Sequence, residues 1–259
     1  MAVIKVERLA KIRLNCRDPR ALAQFFIRAL GFARADPDGQ DSICLALGST
    51  CLDLAPIGRE GRAYPPDVPG WSPLFQHFAM AVEDMDLAMA RLEDVSGWRP
   101  ISQGGPQTLP PSSGGVTAFK FRDPEGHPLE LILFPKSDGL TPRVDHSAIS
   151  VRDTGVSVAF YQNLGLAVGS TSLNHGPEQD QLDGMSGVRL EVTELLFPGA
   201  IGPHIELLCY EGDFPRAALS LAPDDVAATR LVLLGRSPEA GGGLRDPDGH
   251  FLELEANPN

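Results

Sequence analysis

At two places in the chain, apolar residues alternate with polar ones on either side of a turn. FRDPEGHPLELILFP begins at Phe121 and LRDPDGHFLELEANP begins at Leu244. Asp-Pro opens a tight turn, and Glu-Gly or Asp-Gly closes it with a glycine free to take positive φ. Val116, Ala118, Phe119 and Phe121 lead into the first turn, and Leu129, Leu131 and Leu133 leave it at every second position. Each stretch therefore predicts a β-hairpin. Strand side chains alternate in direction, so the three leucines share one face while Glu130 and Ile132 take the other. Glu253, between Leu252 and Leu254, turns away from its leucines in the same manner. His127 and His250 fall in the turns and are expected to be exposed there. A stretch repeated at this length and register points to internal duplication.

A longer unit precedes each hairpin. KIRLNCRDPRALAQFFIRALGF starts at Lys11, HFAMAVEDMDLAMARLED at His77, HSAISVRDTGVSVAFYQNLGL at His146 and, less closely, RAALSLAPDDVAATRLVLLG at Arg216. Each reads as a strand, then an Asp at a helix start, then a helix; Gly31 and Gly165 end two of the helices. In the last copy Arg230-Leu231 aligns with the helical Arg91-Leu92. Short strands bearing a carboxylate, CLDLAP around Asp53 and HIELLCY around Glu206, close the first and third units. The chain thus predicts four units, at about 9–56, 74–135, 145–210 and 215–257, each a strand, a helix and about three strands. Taken in order they make a first domain over 1–136, a linker over 137–144 and a second domain over 145–259.

Charge and composition narrow the partners. The 259 residues carry a formal net charge of −12, which leaves too few basic residues for a nucleic-acid face and disfavours anionic lipid. No apolar run approaches the ~20 residues that span a bilayer, and MAVIKVERLAKIRLNC is too broken by charge for a signal peptide. Cys16, Cys44, Cys51 and Cys209 have no CxxC spacing and read as reduced, small apolar residues of a cytoplasmic protein. Neither a phosphate loop nor a GxSxG elbow is present.

A βαβββ unit that opens on H-x-A-x-x-V-x-D and closes on D-P-[DE]-G-H-x-L-E-L resembles the vicinal oxygen chelate superfamily. That superfamily contains glyoxalase I, extradiol dioxygenases, and the fosfomycin and bleomycin resistance proteins. The resemblance implies an α+β fold in which four βαβββ units form two glyoxalase-like domains with cupped mixed sheets. It also implies metal ligands from the first and last strand of each unit. In the first domain these positions are Lys11, Asp53, His77 and Glu130; in the second they are His146, Glu206, Arg216 and Glu253. His77, Glu130 and Asp53 would be one trio for Fe, Mn, Zn or Ni, and His146, Glu206 and Glu253 the other. Lys11 and Arg216 stand where the family places a His or Gln. A cation there is a poor ligand and can instead pair with the carboxylates, so each cup is either a metal site or a relict without one.

Glu130 and Glu253 are the candidate catalytic carboxylates. Arg13, Asn15 and His204 are candidate substrate contacts beside Lys11 and Arg216. The long irregular stretches APIGREGRAYPPDVPGWSPLF and SQGGPQTLPPSSGG read as loops over a site, with Trp71 and Phe75 as an apolar wall. The function expected from the resemblance is a divalent-metal-dependent lyase, isomerase or dioxygenase acting on a small oxygen-rich molecule. The other reading is a metal-free binding or sequestering protein. A homodimer is compatible with either.

Overall fold

Local chemistry sets where the helices begin. The chain, described as a computed structural model, covers residues 5–35, 42–135, 142–214, 220–236 and 243–256. The first unit runs β1 (Lys5–Cys16), α1 (Pro19–Leu30), β2 (Ala33–Arg34), β3 (Ile43–Leu47) and β4 (Thr50–Pro56). The second runs β5 (Gln76–Ala81), α2 (Met85–Glu93), β6 (Arg99–Pro100), β7 (Gln107–Thr108), β8 (Thr117–Arg122) and β9 (Pro128–Leu133). The third runs β10 (Arg143–Ser150), α3 (Thr154–Asn163), β11 (Ala167–His175), α4 (Pro177–Asp183), β12 (Arg189–Leu196) and β13 (His204–Tyr210). The repeated aspartates are the caps: Asp18, Asp84 and Asp153 accept from backbone N–H groups in the first turns of α1, α2 and α3.

The fourth unit is reduced to β14 (Arg230–Arg236), β15 (Gly243–Arg245) and β16 (Phe251–Ala256), with no helix among its described residues. The strand of this unit that pairs with β1 is Arg230–Arg236, a segment whose pattern suggests a helix. Arg216 itself lies outside the described residues. An apolar run such as Leu-Val-Leu-Leu suits a buried strand as well as a helix. Here β1 and β16 offer backbone partners on both sides, and Leu231, Val232 and Leu233 are fully buried. Gly235 permits the close approach, since a Cβ there would lie 2.5 Å from the Lys5 carbonyl oxygen.

The units do not pair in chain order. Seven strands form one sheet in the order β15-β16-β14-β1-β4-β3-β2, joining the first unit to the fourth. The second sheet has the order β11-β12-β13-β10-β5-β9-β8-β6, with β7 paired to β8, and joins the second unit to the third. The two cups expected from consecutive units are thus divided differently. The reason lies in the connections. β9 ends at Leu133 and β10 starts at Arg143, a short link between neighbouring units, whereas residues 57–75 carry the chain from one sheet across to the other.

In both sheets one face joins a shared core and the other carries the charged residues, which in the second sheet stand among smaller apolar clusters. Phe78, Phe119, Leu129 and Leu131 of the second sheet pack with Ile12, Leu52, Leu231 and Leu252 of the first, and with Leu22 and Phe26 of α1. Burying each such side chain contributes about 1.5–3 kcal/mol. The opposite face of the second sheet carries Lys120, Glu130 and Ile132.

The hairpin turns lock the sheets together, which corrects the expectation that their histidines are exposed. His127 is 1% and His250 3% exposed. Nδ1 of each ring bonds the turn aspartate, Asp123 or Asp246, while Nε2 meets the Asn15 or the Pro73 carbonyl. Burial disfavours the imidazolium, yet the adjoining aspartates outweigh it and raise both pKa values. Gly126 takes φ +101°, and a Cβ there would come within 2.9 Å of Tyr64 Cβ. Trp71 and Phe75 serve this packing too. Trp71 stacks on Phe214 at 5.1 Å, and Phe75 is buried with Tyr64, Val226 and Ala227. Neither lines the cavity over His77 and His146, although the Phe75 ring lies 5.4 Å from that of His77.

Candidate metal centre

Register places four side chains on the polar face of the second sheet. Glu130 faces Ala79 across the parallel β5–β9 pair, and Glu206 faces Ala148 across β10–β13. The antiparallel β5–β10 pair sets His77 opposite Ala148 and His146 opposite Ala79. Two histidines and two glutamates therefore surround two alanines, which leave room between them. The strands bring together His77, Glu130, His146 and Glu206, two from each of the sequence trios. Asp53 and Glu253 belong to the other sheet.

The geometry is that of a donor cluster. His77 Nε2 lies 2.9 Å from Glu130 Oε2, and His146 Nε2 lies 3.8 Å from the same oxygen and 3.5 Å from Glu206 Oε2. Ligand atoms of His77, Glu130 and His146 all fall within 4.8 Å of one another. His146 Nδ1 is 3.2 Å from Asp145 Oδ2, a contact that orients the ring and leaves Nε2 for the centre. That Nε2 is buried without a hydrogen-bond partner. An orphaned, inward-facing imidazole nitrogen among carboxylates fits a divalent ion of the Fe, Mn, Zn or Ni type.

The same closeness perturbs the protonation of these groups. Burial works against charge at every member. Glu206, Asp145 and Glu130 nevertheless raise the pKa of His146 well above its ordinary value. Lys120 and the two histidines hold Glu130 well below its own, and His146 and His204 lower Glu206. His77 stays low, with burial as the main cause. Without an ion, a proton on His146 supplies positive charge between the two glutamates.

In the seven-stranded sheet the same register holds other residues. β1–β14 sets Lys11 opposite Val232 and Arg13 opposite Arg230. Asp53 faces Arg13, and Glu253 faces Val232. Lys11 and Arg230 thus hold the places of His77 and His146, and Arg13 holds the place of Ala79. Arg13 donates to Asp53 at 2.7 Å and to Glu253 at 2.6 Å, and Arg230 lies 3.2 Å from Glu253. The expected Lys11–Asp53 pairing is replaced: Lys11 reaches Glu255 at 3.1 Å, and Arg13 fills the centre. Asn15 is a structural residue, donating to the Pro223 and Asp225 carbonyls and accepting from Arg230. Both carboxylates here are spent on guanidinium groups, so this cup does not offer Glu253 as a free base.

A cavity of about 670 Å³ opens onto the histidine cup. The ends of the sheet close around it, with the short turn at Pro111–Ser113 touching β11 and α4 touching β7 and β8. His204 lines the cavity, 3.3 Å from Glu206 Oε1 and 3.7 Å from Glu194 Oε1. Three lining residues escape a reading by motif: Lys120, Asp145 and Glu194. Lys120 could have been found by alternation, because Ala118 and Lys120 share the face opposite Phe119 and Phe121. Its Nζ lies 2.7 Å from Asp183, which also accepts from Gln179 and Tyr210.

Residues 11–132 match the family model of the glyoxalase-like domain. No protein of curated function matches the chain in sequence. Among solved structures, glyoxalase I from Zea mays superimposes with a TM-score of 0.66 at 17% identity, over 95% of this chain and 91% of that one. A mutant of the maize enzyme gives 0.66 at 15%, over 96% and 93%. A candidate dioxygenase from Bacillus subtilis gives 0.56 at 13%, over 98% and 86%. At such identities the likeness is one of fold. No helix among the described residues is long and apolar enough to cross a membrane. Residues 11–132 thus match the glyoxalase-like domain, and the chain as a whole has the fold of glyoxalase I.

Proposed function

We propose that the chain is a divalent-metal-dependent enzyme that acts on a small oxygen-rich molecule in the cup of the nine-stranded sheet. The carrying observation is the convergence of His77, Glu130 and His146 within 4.8 Å, with Glu206 alongside. A bound ion there supplies Lewis acidity, lowering the pKa of vicinal substrate oxygens and stabilising the charge that develops on them. The chain's own residues do the rest. Asp145 fixes the His146 ring. Glu130, the more buried carboxylate, is a ligand. Glu206 is the more open of the two, its side chain 22% exposed against 8% for Glu130, which favours it as the acceptor of a substrate proton. His204 holds the other oxygen of Glu206.

A metal-free binding role is favoured by one observation, the His77–Glu130 contact, which with a protonated His146 balances charge without an ion. Elemental analysis of untagged protein, prepared without chelators, decides between them. Near-stoichiometric metal is expected, and both His77→Ala and His146→Ala should lose it. Protein that takes up no Fe, Mn, Ni or Zn on incubation supports the metal-free reading.

A further inference from the structure

We infer that the histidine cup takes a chelating molecule with an uncharged, apolar body, and disfavours chelators that carry a carboxylate tail. This rests on the metal reading above and adds the substrate class. Two apolar patches flank the ligand cluster. On the side of the second unit, Leu109, Val116 and Ile132 line the cavity; on the side of the third, Leu190, Val192 and Leu208 do. A flat or branched hydrocarbon body can lie against either wall and shed its water.

The lysine and arginine in the cavity are already paired with carboxylates. Among the described residues lining it, the lysines and arginines are Lys120 and Arg143. Lys120 is buried and committed to Asp183 at 2.7 Å, whose second oxygen is itself held by Gln179 and Tyr210. Arg143 lies 3.1 Å from Asp145. Glu130, Glu206, Glu194 and Asp145 also face the cavity, and a divalent ion balances two of these four carboxylates. A substrate carboxylate inside would lose its hydration, find no free cation, and meet Glu194. The rim residues Ser170, Ser172 and Asn174 offer neutral hydrogen-bonding groups, which suit hydroxyl or carbonyl substituents.

The test uses the full chain loaded with zinc, and two probes sharing one oxygen pair: 3-(3,4-dihydroxyphenyl)propionate and its methyl ester. Titration calorimetry should find the ester at least about tenfold tighter than the acid, the cost of an unpaired carboxylate. Val192→Lys, on the half-buried wall, should shrink or reverse that preference while zinc content stays the same. An acid that binds as tightly as the ester, or tighter, overturns the inference. So does zinc uptake with no binding of either probe, although the metal reading then stands. If zinc does not bind, the metal reading fails. An ester preference in the metal-free protein would still support the inference, and its absence would overturn it.

Discussion

The two cups share one backbone register and solve the same electrostatic problem differently. Each presents two carboxylates to a central space: Glu130 and Glu206 in one, Asp53 and Glu253 in the other. In the nine-stranded sheet, Ala79 and Ala148 keep that space open and the histidines point in. In the seven-stranded sheet, Arg13 stands at the counterpart of Ala79 and delivers its guanidinium to both carboxylates. A fixed cation built into the chain needs no ion and leaves no coordination position open. One residue beside the ligand position, rather than the ligand alone, thus separates a cup that can bind an ion from one that has closed on itself.

The strongest way to break this comparison is to rebuild the closed cup. Lys11→His, Arg13→Ala and Arg230→His together place two imidazoles beside Asp53 and Glu253 with an alanine between them. Metal content should rise from about one to about two ions per chain, as read by elemental analysis. An unchanged stoichiometry in a folded variant would show that more than these positions distinguishes the cups. Next in size, Arg13→Ala alone should strand Asp53 and Glu253. Arg13 is 27% exposed at its side chain, so solvent screens part of the loss, and about 1–2 kcal/mol by urea unfolding is expected. Asp53→Asn added to it should recover part of that.

Proton competition separates the cups further. His146 has its pKa raised, so below that value an incoming ion must displace a proton. Metal affinity should therefore climb with pH, by up to about tenfold per unit for one proton, and level off above the raised pKa. Competition with a chelator across the neutral range reads the slope; a flat profile would mean His146 is already neutral. The smallest effect belongs to Lys11→Met. The Lys11–Glu255 pair is 35% and 39% exposed, and its loss should shift stability by at most about 0.5 kcal/mol in the same unfolding assay.

Much of the fold is written locally. Aspartates three residues ahead of an apolar stripe give the caps of α1, α2 and α3, and alternation around Leu129 and Leu131 puts Glu130 on the polar face. His146 and Glu206 follow from aligning the units. What escapes is non-local. Which first strands pair is decided by connection length and shared burial, so Asp53 is grouped with His77 by order and with Glu253 by structure. β14 escapes because its apolar run has no period. His127 and His250 escape because turn chemistry says nothing of the carbonyl from another segment that buries them. Lys120 and Asp183 meet across units, and no spacing announces that.

The pairing of the first unit with the fourth has a consequence for biosynthesis. β13 ends at Tyr210, so every strand of the nine-stranded sheet has been made before β14 begins at Arg230. The histidine cup can close while β1 still lacks the neighbour that covers Leu9 and Ile12. Until β14 has been made, β1 leaves one row of backbone groups unpaired, the condition under which nascent chains recruit chaperones or each other. Closing the seven-stranded sheet then waits on a contact between strands far apart in sequence, the kind of contact that slows folding most.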